Sequence, residues 1–267
     1  MFHTDFEIGY TMDIVIASDV EKMGQLAAEK GAAVIRDAIS DNRRARIIVA
    51  TGASQFTVLK HLVAQPDIDW SMVDGFHLDE YIGIDRSHPA SFCRYLDERF
   101  VQQVPIGSFQ FLDAEGSPAE VAARVGQLVM AQPVDVAFVG IGENGHLAFN
   151  DPPANFETND PYLIVDLDEA CRQQQVGEGW FASLADVPKQ ALSMSVNQIM
   201  KTRTIICSVP DERKAEAVRG SVEGAVTPNV PASILQNHAA CTLMLDPASA
   251  KLLSEATKSG ASDGSVS

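Results

Sequence analysis

Short apolar runs alternate along this chain with segments whose apolar residues recur at helical spacing, and this alternation constrains the fold more than any other feature. Residues 45–54 (ARIIVATGAS) and 134–142 (VDVAFVGIG) are continuous apolar runs that end in small-residue turns, as buried parallel strands do. Residues 20–39 and 118–131 have helical periodicity. The alternation predicts an α/β protein with three α/β/α layers and a mostly parallel, doubly wound, modified Rossmann-like sheet.

The same patterns predict the remaining elements. Further strands are expected at 12–19, 73–81, 203–210 and 241–246, and further helices at 55–65, 91–104, 186–202, 211–224 and 231–238. No linker, repeat or shift in composition interrupts residues 12–254, so a single domain over residues 1–255 is expected. Residues 256–267 (ATKSGASDGSVS) are rich in Ser and Gly and are predicted to form a disordered tail.

The composition argues against several classes of protein. The formal net charge is −16 at pH 7 and the pI is near 4.6, so the surface should repel nucleic acids and anionic membranes, and neither is expected as a partner. The four cysteines are scattered without a C-x-x-C pair, which is typical of reduced thiols. No apolar run reaches the roughly 18 residues of a membrane span, and the first residues lack a signal-peptide core. We therefore expect a cytoplasmic protein and leave open whether it forms a homo-oligomer.

Ligands of open parallel sheets bind beyond the carboxyl ends of the strands, and the first polar strand end here is a turn of small residues. Its residues are Thr51, Gly52, Ala53 and Ser54. Small residues let the backbone approach an anion, and the N-terminus of the following helix offers free N–H groups. The turn predicts a phosphate site, although an ordinary turn capped by Ser54 is the alternative. Lys214 is the candidate cationic partner, unless it is a solvated surface lysine.

The second strand end carries two adjacent carboxylates, Asp79 and Glu80. Neighbouring side chains on a strand point to opposite faces, so only one of the two can face a pocket. His77 and Asp79 share one side of the alternation. Asp79 is predicted to point inward as a general base, with Glu80 behind it. The alternative is that these acids cap a helix or lie in a loop.

The third strand end is residues 140–153 (GIGENGHLAFNDPP), which satisfy the G-x-G-x-x-G spacing of a dinucleotide site. Such a site needs a helix directly after the glycines, and Pro152 and Pro153 stop one from forming. The loop instead sets His146 against Asp151. A carboxylate beside a histidine fixes the tautomer of the ring, as a proton shuttle requires. The alternative for His146 is a hydrogen-bonded histidine near the core.

Metal binding and nucleophilic catalysis have less support. His77, Asp79, His88 and His146 could bind a metal, but no H-x-x-x-H pattern or close Cys/His cluster is present. No G-x-S-x-G motif occurs, and no base is marked beside Ser54. We therefore predict no metal.

Taken in order, the three strand ends resemble the glucosamine-6-phosphate deaminase/isomerase family. The family pattern is T-G-[GS]-[ST], then D-E-Y, then G-x-G-x-[DN]-G-H-[IL]-[AG]-F-N-[ED]-P; here it reads TGAS, DEY and GIGENGHLAFNDP. Downstream, DVPKQALSMSV and ERKAEAVRGSVEG are also similar to family segments, so the resemblance covers roughly residues 12–246. The G-H-[IL]-[AG]-F-N-[ED]-P segment is the specific part. The related 6-phosphogluconolactonases share the fold and the G-H but typically continue differently.

The resemblance implies conversion of D-glucosamine 6-phosphate and water to fructose 6-phosphate and ammonia, with no cofactor and a small-molecule sugar phosphate as the partner. Asp79 would move a proton between C2 and C1 of the opened sugar, and His146 would carry a proton to the ring oxygen, tuned by Asp151. The implied catalytic set is Asp79, His146, Asp151 and Asn144. The implied set for the substrate and its phosphate is Thr51, Gly52, Ala53, Ser54, Lys214, Arg172, Glu80 and Gly142.

Several positions depart from the family pattern. Asn144 stands where many members have Asp, and Asp151 replaces the commoner Glu, which shortens the arm toward the histidine by one methylene. Ala53 stands where many members have Gly. The family's phosphate-binding arginine is missing, because Gln175 falls in its column and Arg172 lies one helical turn earlier.

Regulation and two other functions are also considered. Some members bind an allosteric activator through basic residues after F-N-[ED]-P; residues 151–166 contain no Lys or Arg, so no such activation is predicted. A 6-phosphogluconolactonase-like hydrolase would use His146 as a base toward water. A non-catalytic sugar-phosphate sensor is the other alternative, against which stand the acidic surface and the lack of a helix-turn-helix extension.

Overall fold

The structure is a computed structural model and describes residues 12–113 and 116–264. Its strands are β1 (Asp13–Ile16), β2 (Ala45–Val49), β3 (Val73–His77), β4 (Asp79–Tyr81), β5 (Ser108–Gln110), β6 (Val136–Val139), β7 (Tyr162–Asp166), β8 (Gln190–Met194), β9 (Thr204–Val209), β10 (Cys241–Leu245) and β11 (Ser262–Asp263). Its helices are α1 (Val20–Asn42), α2 (Phe56–Leu62), α3 (Phe92–Arg99), α4 (Pro118–Met130), α5 (Glu169–Gly177), α6 (Val196–Met200), α7 (Ala215–Glu223) and α8 (Glu255–Gly260).

The strands form two sheets. The larger has the order β11-β1-β10-β9-β6-β2-β3-β5, and its neighbouring strands are all parallel. The smaller has the order β4-β8-β7 and is antiparallel. Among the described helices, none is long and apolar enough to cross a membrane.

Helices cover both faces of the large sheet, which confirms the predicted three-layer α/β/α fold. Along β2, Ile47 and Val49 pack in the apolar cluster that includes α1, α2 and α3. Ile48 points to the opposite face and packs with residues of α4 and α7. This alternation follows from the period of two along a strand. Each fully buried Ile or Val contributes about 1.5–3 kcal/mol of transfer free energy, so the strands are fixed between the two helical layers.

Two predicted elements differ from the structure. The strand predicted at 73–81 is interrupted at Leu78 and contributes to both sheets. The helix predicted at 186–202 is wrong in its first part, because residues Gln190–Met194 form β8 and only Val196–Met200 are helical. β8 lies between two antiparallel neighbours with four of its five residues buried, Ser193 among them, so its sequence lacks the alternation of buried apolar and exposed polar residues that marks a strand. The spacing of apolar residues in the sequence also did not indicate β7 or α5.

The prediction of a disordered tail is corrected for residues 256–264. The Ser254 hydroxyl caps α8 by accepting from the Thr257 N–H, and the Thr257 hydroxyl donates to Glu223 at 2.6 Å. Beyond the helix, β11 extends the large sheet beside β1. These local contacts order a segment whose composition alone suggested a tail. The last three residues of the predicted tail lie outside the described residues.

Candidate active site

A cavity of about 390 Å³ opens at the carboxyl ends of β2, β6 and β9, where the sequence predicted a ligand. It brings together most of the predicted site. The predicted residues that line it are Thr51, Gly52, Ala53, Ser54, Asp79, Gly142, His146 and Lys214. The segments that carry them are far apart in the chain, so the parallel sheet is what places them around one space.

Asp79 reaches the cavity because the chain passes from one sheet to the other at Leu78. The Leu78 N–H donates to the Val49 carbonyl at 3.2 Å, and the Leu78 carbonyl accepts from the Met194 N–H at 2.9 Å. Asp79 is 7% exposed. Burial, and next the charge of Glu80, raise the pKa of the Asp79 carboxyl to about 8. Within the described residues, no group donates a hydrogen bond to this carboxylate, so its oxygens remain available to a ligand.

Glycine lets the His146 ring lie against the backbone at the end of β6. A Cβ built on Gly142 would come within 2.2 Å of the ring, and one on Gly140 would come within 2.7 Å of the Ser54 hydroxyl. The loop is closed by bonds from the Gly142 N–H to the His146 carbonyl and from the Gly145 N–H to the Gly142 carbonyl, both 3.0 Å. No helix begins in residues 140–161, all of which are described. The glycines therefore make room for side chains and not for a nucleotide.

His146 lies against Asp151, as the sequence predicted. Its Nδ1 is 3.2 Å from Asp151 Oδ1, although the ring N–H is not aligned for a linear hydrogen bond. Asn144 joins the two: its amide donates to Asp151 Oδ1 at 3.1 Å, and its oxygen accepts from the His146 N–H at 3.0 Å. Burial tends to raise the pKa of Asp151, but its contacts with His146 and Asn144 and with the Asp168 N–H outweigh burial and lower it. Asp151 therefore stays ionised beside the ring.

Two motif residues without a predicted role fix this loop to the small sheet. The Asn150 amide donates to the carbonyls of Leu147 at 2.7 Å and Met194 at 2.8 Å. The Phe149 N–H donates to the Ser193 hydroxyl at 3.0 Å, and its ring stacks on Phe92 with centroids 5.9 Å apart. The F-N part of the motif thus anchors the loop.

Lys214 is buried and points into the cavity, not into solvent. It ends the short 3₁₀ turn Glu212–Lys214 that precedes α7, and its residue is 7% exposed. Its Nζ lies 3.3 Å from the Glu178 carboxylate, which also lines the cavity. Arg213 lines the cavity as well, and its guanidinium donates to Asp211 at 2.8 Å. Both cations therefore have carboxylate partners.

Two residues of the predicted substrate set lie away from the cavity. Arg172 does not line the cavity; its guanidinium donates to the carbonyls of Leu184 and, at 3.0 Å, Val187, and so holds the loop that precedes β8. Glu80 does not line it either. Its carboxylate accepts from the Cys93 N–H at 2.6 Å and the Phe92 N–H at 3.2 Å, which caps α3. Capping was the alternative considered for these acids.

Helix α5 supplies site residues that the sequence did not indicate. Gln174 accepts from the Glu143 N–H at 2.9 Å, and Gln175 accepts from the Tyr81 hydroxyl at 2.6 Å; both glutamines line the cavity. Arg213 adjoins Lys214 in the strand-end segment PDERK, so its position was a usable signal. For Gln174 no signal existed, because α5 itself was not predicted, whereas Gln175 was indicated only by its place in the column of the family's phosphate-binding arginine.

Among the described residues, one group has donor atoms close enough to share a metal ion. Ligand atoms of His146, Asp151 and Cys171 lie within 4.8 Å of one another. Asp151 already accepts two hydrogen bonds, from Asn144 and Asp168. We therefore assign no metal to this group.

Comparison with known sequences identifies relatives over most of the chain. The family described as glucosamine-6-phosphate isomerases/6-phosphogluconolactonase matches residues 18–244. A glucosamine-6-phosphate deaminase of Streptococcus pneumoniae serotype 4 is 37% identical over 208 residues, which is 77% of this chain and 86% of that protein.

Solved structures agree with the sequence relatives. A monomeric glucosamine-6-phosphate deaminase superposes with a TM-score of 0.81 at 29% identity, over 90% of this chain and all of that one (100%). A putative 6-phosphogluconolactonase from Neisseria gonorrhoeae superposes with a TM-score of 0.70 over 88% of this chain and 100% of that one. The second match is only 17% identical, so it shows a shared fold alone.

Proposed function

The chain belongs to the glucosamine-6-phosphate isomerase/6-phosphogluconolactonase family, and we propose that it is a glucosamine-6-phosphate deaminase that couples aldose–ketose isomerisation to release of ammonia. The observation that carries this proposal is the cavity that Asp79, His146 and Lys214 line together. An isomerising deaminase needs a base at C2, an acid/base group at the ring oxygen and a group that holds the other end of the sugar. The three side chains supply these functions.

His146 would open the pyranose ring. The ring opens when a proton leaves the O1 hydroxyl and a proton reaches O5 as the C1–O5 bond breaks. An imidazole can carry this proton because it both accepts and donates near neutral pH. The ionised Asp151 lies beside Nδ1 and would hold the orientation of the ring in that step. Asn144 would hold Asp151 in position relative to the backbone of the loop at His146.

Asp79 would then move a proton between the two carbons. Its carboxylate would take the proton from C2 of the opened amino sugar to give an enolamine and return it to C1. Water would hydrolyse the resulting C2 imine and release ammonia. A pKa of about 8 makes Asp79 a stronger base than an ordinary carboxylate once it is ionised. A general base of this kind accelerates a reaction by about 10²–10⁴-fold.

The turn at Thr51–Ser54 and Lys214 would hold the 6-phosphate at the far end of the sugar. Gly52 has a φ of 88°, which glycine adopts without strain, and the next residues form the 3₁₀ turn Ala53–Gln55. Backbone N–H groups in such a turn and a buried ammonium are suited to an anion. Arg213 replaces Arg172 as the second cation that we place near this end.

Neither alternative function accounts for the site as well. A lactonase-like hydrolase would need His146 but no carboxylate of raised pKa at position 79. A sensor domain would need the anion end of the cavity, which is formed by Thr51–Ser54 and Lys214, but not the His146–Asp151 pair. The lactonase structures support only the fold, at 17% identity for the one from Neisseria gonorrhoeae.

We place the enzyme in the cytoplasm, since all four cysteines are buried and unpaired, as expected in a reducing compartment. The lack of allosteric activation remains a prediction.

An ammonia-release assay across hexosamine 6-phosphates tests the proposed function directly. We expect ammonia and fructose 6-phosphate in equal amounts from glucosamine 6-phosphate, and none from the His146→Ala variant. Hydrolysis of 6-phosphogluconolactone with no ammonia from any hexosamine phosphate would instead establish the lactonase.

A further inference from the structure

The anion end of the cavity contains a carboxylate that faces its buried lysine. Glu178 Oε1 lies 3.3 Å from Lys214 Nζ, and the side chains are 7% and 9% exposed respectively. Both residues line the cavity. The positive charge of the Lys214 ammonium, which would bind a phosphate, is therefore offset by the Glu178 carboxylate before any ligand binds.

Neighbouring side chains hold Glu178 in this position. Its Oε1 accepts from the Gln174 amide at 2.8 Å, and its Oε2 accepts from the Trp180 indole N–H at 3.2 Å. Gln174 is itself fixed by the Glu143 N–H at 2.9 Å. A ligand could displace the carboxylate only by breaking these bonds, so Glu178 should stay beside Lys214 when the cavity fills.

The second cation of the lining is neutralised in a similar way. Arg213 donates to Asp211 at 2.8 Å and lies 3.5 Å from Glu143. Within the described residues, Arg213 and Lys214 are the lysine and arginine side chains that line the cavity. A dianion that contacts Lys214 must therefore approach Glu178, and like charges that are removed from water repel strongly.

A hydroxyl group fits the same pair without this repulsion. It can accept from an ammonium and donate to a carboxylate at once. We infer that Glu178 is a specificity-determining residue that weakens the preference of this cavity for a phosphate over a hydroxyl at the distal end of the sugar. The inference rests on the proposed function for its substrate, a hexosamine, and extends that substrate class to sugars with a free 6-hydroxyl.

Binding of inorganic phosphate tests the role of Glu178 without any turnover. In calorimetric titrations, we expect Glu178→Gln to bind inorganic phosphate at least tenfold more tightly than the unchanged protein. The matched control is Glu169→Gln, which alters an exposed acid at the first residue of α5, the helix that Glu178 follows, and should leave phosphate binding unchanged. Glu178→Ala is the second variant, and a thermal unfolding midpoint for each variant confirms that it folds. Equal or weaker phosphate binding by both folded Glu178 variants would overturn the inference.

Steady-state turnover of a phosphorylated and an unphosphorylated sugar measures the selectivity of the cavity for a phosphate over a hydroxyl. The ratio of kcat/KM for glucosamine 6-phosphate to kcat/KM for glucosamine should rise at least tenfold in Glu178→Gln. The rise should vanish when Lys214 is also changed to Gln, because the charge that Glu178 offsets is then gone. An unchanged ratio in Glu178→Gln contradicts the inference. If the unchanged protein deaminates neither sugar, the proposed function fails, and the phosphate titration still decides the role of Glu178.

Discussion

Nδ1 of His146 lies 3.2 Å from Oδ1 of Asp151, with 9% and 8% of the two side chains exposed. Four residues lie between them, and the loop that these residues form is closed on itself and fixed to β8 by Asn150. The Asp151 carboxylate thus lies beside Nδ1 of the His146 ring, and the same ring also lines the cavity. This arrangement can hold the histidine ring in one tautomer and one orientation.

Asp151→Asn should lower kcat by about 10²-fold with little change in KM, because general acid–base catalysis depends on the orientation and charge of the ring. Steady-state ammonia release measures both constants. The control is Asp160→Asn, which changes an exposed acid of the same connection between β6 and β7. A kcat for Asp151→Asn within twofold of the unchanged protein would remove Asp151 from the mechanism.

The pH dependence of kcat/KM should follow the ionisation of Asp79 in the free enzyme. Only the ionised carboxylate is a base, and its pKa is about 8. The value of kcat/KM should therefore rise about tenfold per pH unit below pH 7 and level off above about pH 8. Initial rates from pH 5.5 to 9 at low substrate concentration give the profile. A flat profile between pH 6 and 8 is incompatible with Asp79 as the base.

Asp79→Asn should stabilise the fold in a pH-dependent way. Between the ordinary pKa of 3.8 and the folded value of about 8, the native state keeps a proton that the unfolded state loses. The contribution of Asp79 to the free energy of unfolding therefore falls as pH rises from about 4 to about 8, and it is constant above that range. Asparagine cannot ionise, so the variant should gain about 1–3 kcal/mol at pH 8 and nearly nothing at pH 4. Denaturant unfolding at both pH values measures the difference, and an equal effect at both would contradict the buried ionisation.

The three strand ends could be predicted because glycine turns after apolar runs and acids before a turn are local signals. We could also predict that they meet in one cavity, because the ligands of open parallel sheets bind beyond the carboxyl ends of the strands. Two predicted residues lie away from the cavity for physical reasons. Arg172 sits one turn from Gln175 on α5, but only the packed loop at Leu184 shows where its guanidinium goes. Glu80 and Asp79 are adjacent carboxylates, and the position of α3 decides which one is used as a cap.

The side chains that α5 and Glu178 place beside Lys214 could not be predicted. Helix α5 is short and polar on most of its surface, so its periodicity gave no helix and no inward face. The Glu178–Lys214 contact joins positions 36 residues apart in the chain. No local pattern encodes such a pair, because it depends on how α5 packs beside the turn before α7.

Lys214→Ala should raise KM for glucosamine 6-phosphate at least tenfold while kcat falls less than threefold, because the ammonium contacts the ground state and the transition state alike. The variant also leaves Glu178 buried without its cation, and a broken buried pair costs about 3–5 kcal/mol. The double variant with Glu178→Gln should recover much of that stability but not the low KM. Steady-state kinetics and denaturant unfolding separate the two effects. A normal KM in the single variant would exclude Lys214 from substrate binding.

The central claim is that the Asp79 carboxylate carries a proton from C2 to C1 of the opened sugar, and it is tested most directly by turnover in deuterium oxide with NMR analysis of the product. We predict ketose from the unchanged protein whose new C1 hydrogen is either protium carried over from C2 or deuterium taken up when the Asp79 carboxyl exchanges with solvent before it returns the proton. With Asp79→Asn we predict neither ketose nor exchange of the C2 hydrogen. Ketose formed at a normal rate by Asp79→Asn, with or without label, would contradict the claim.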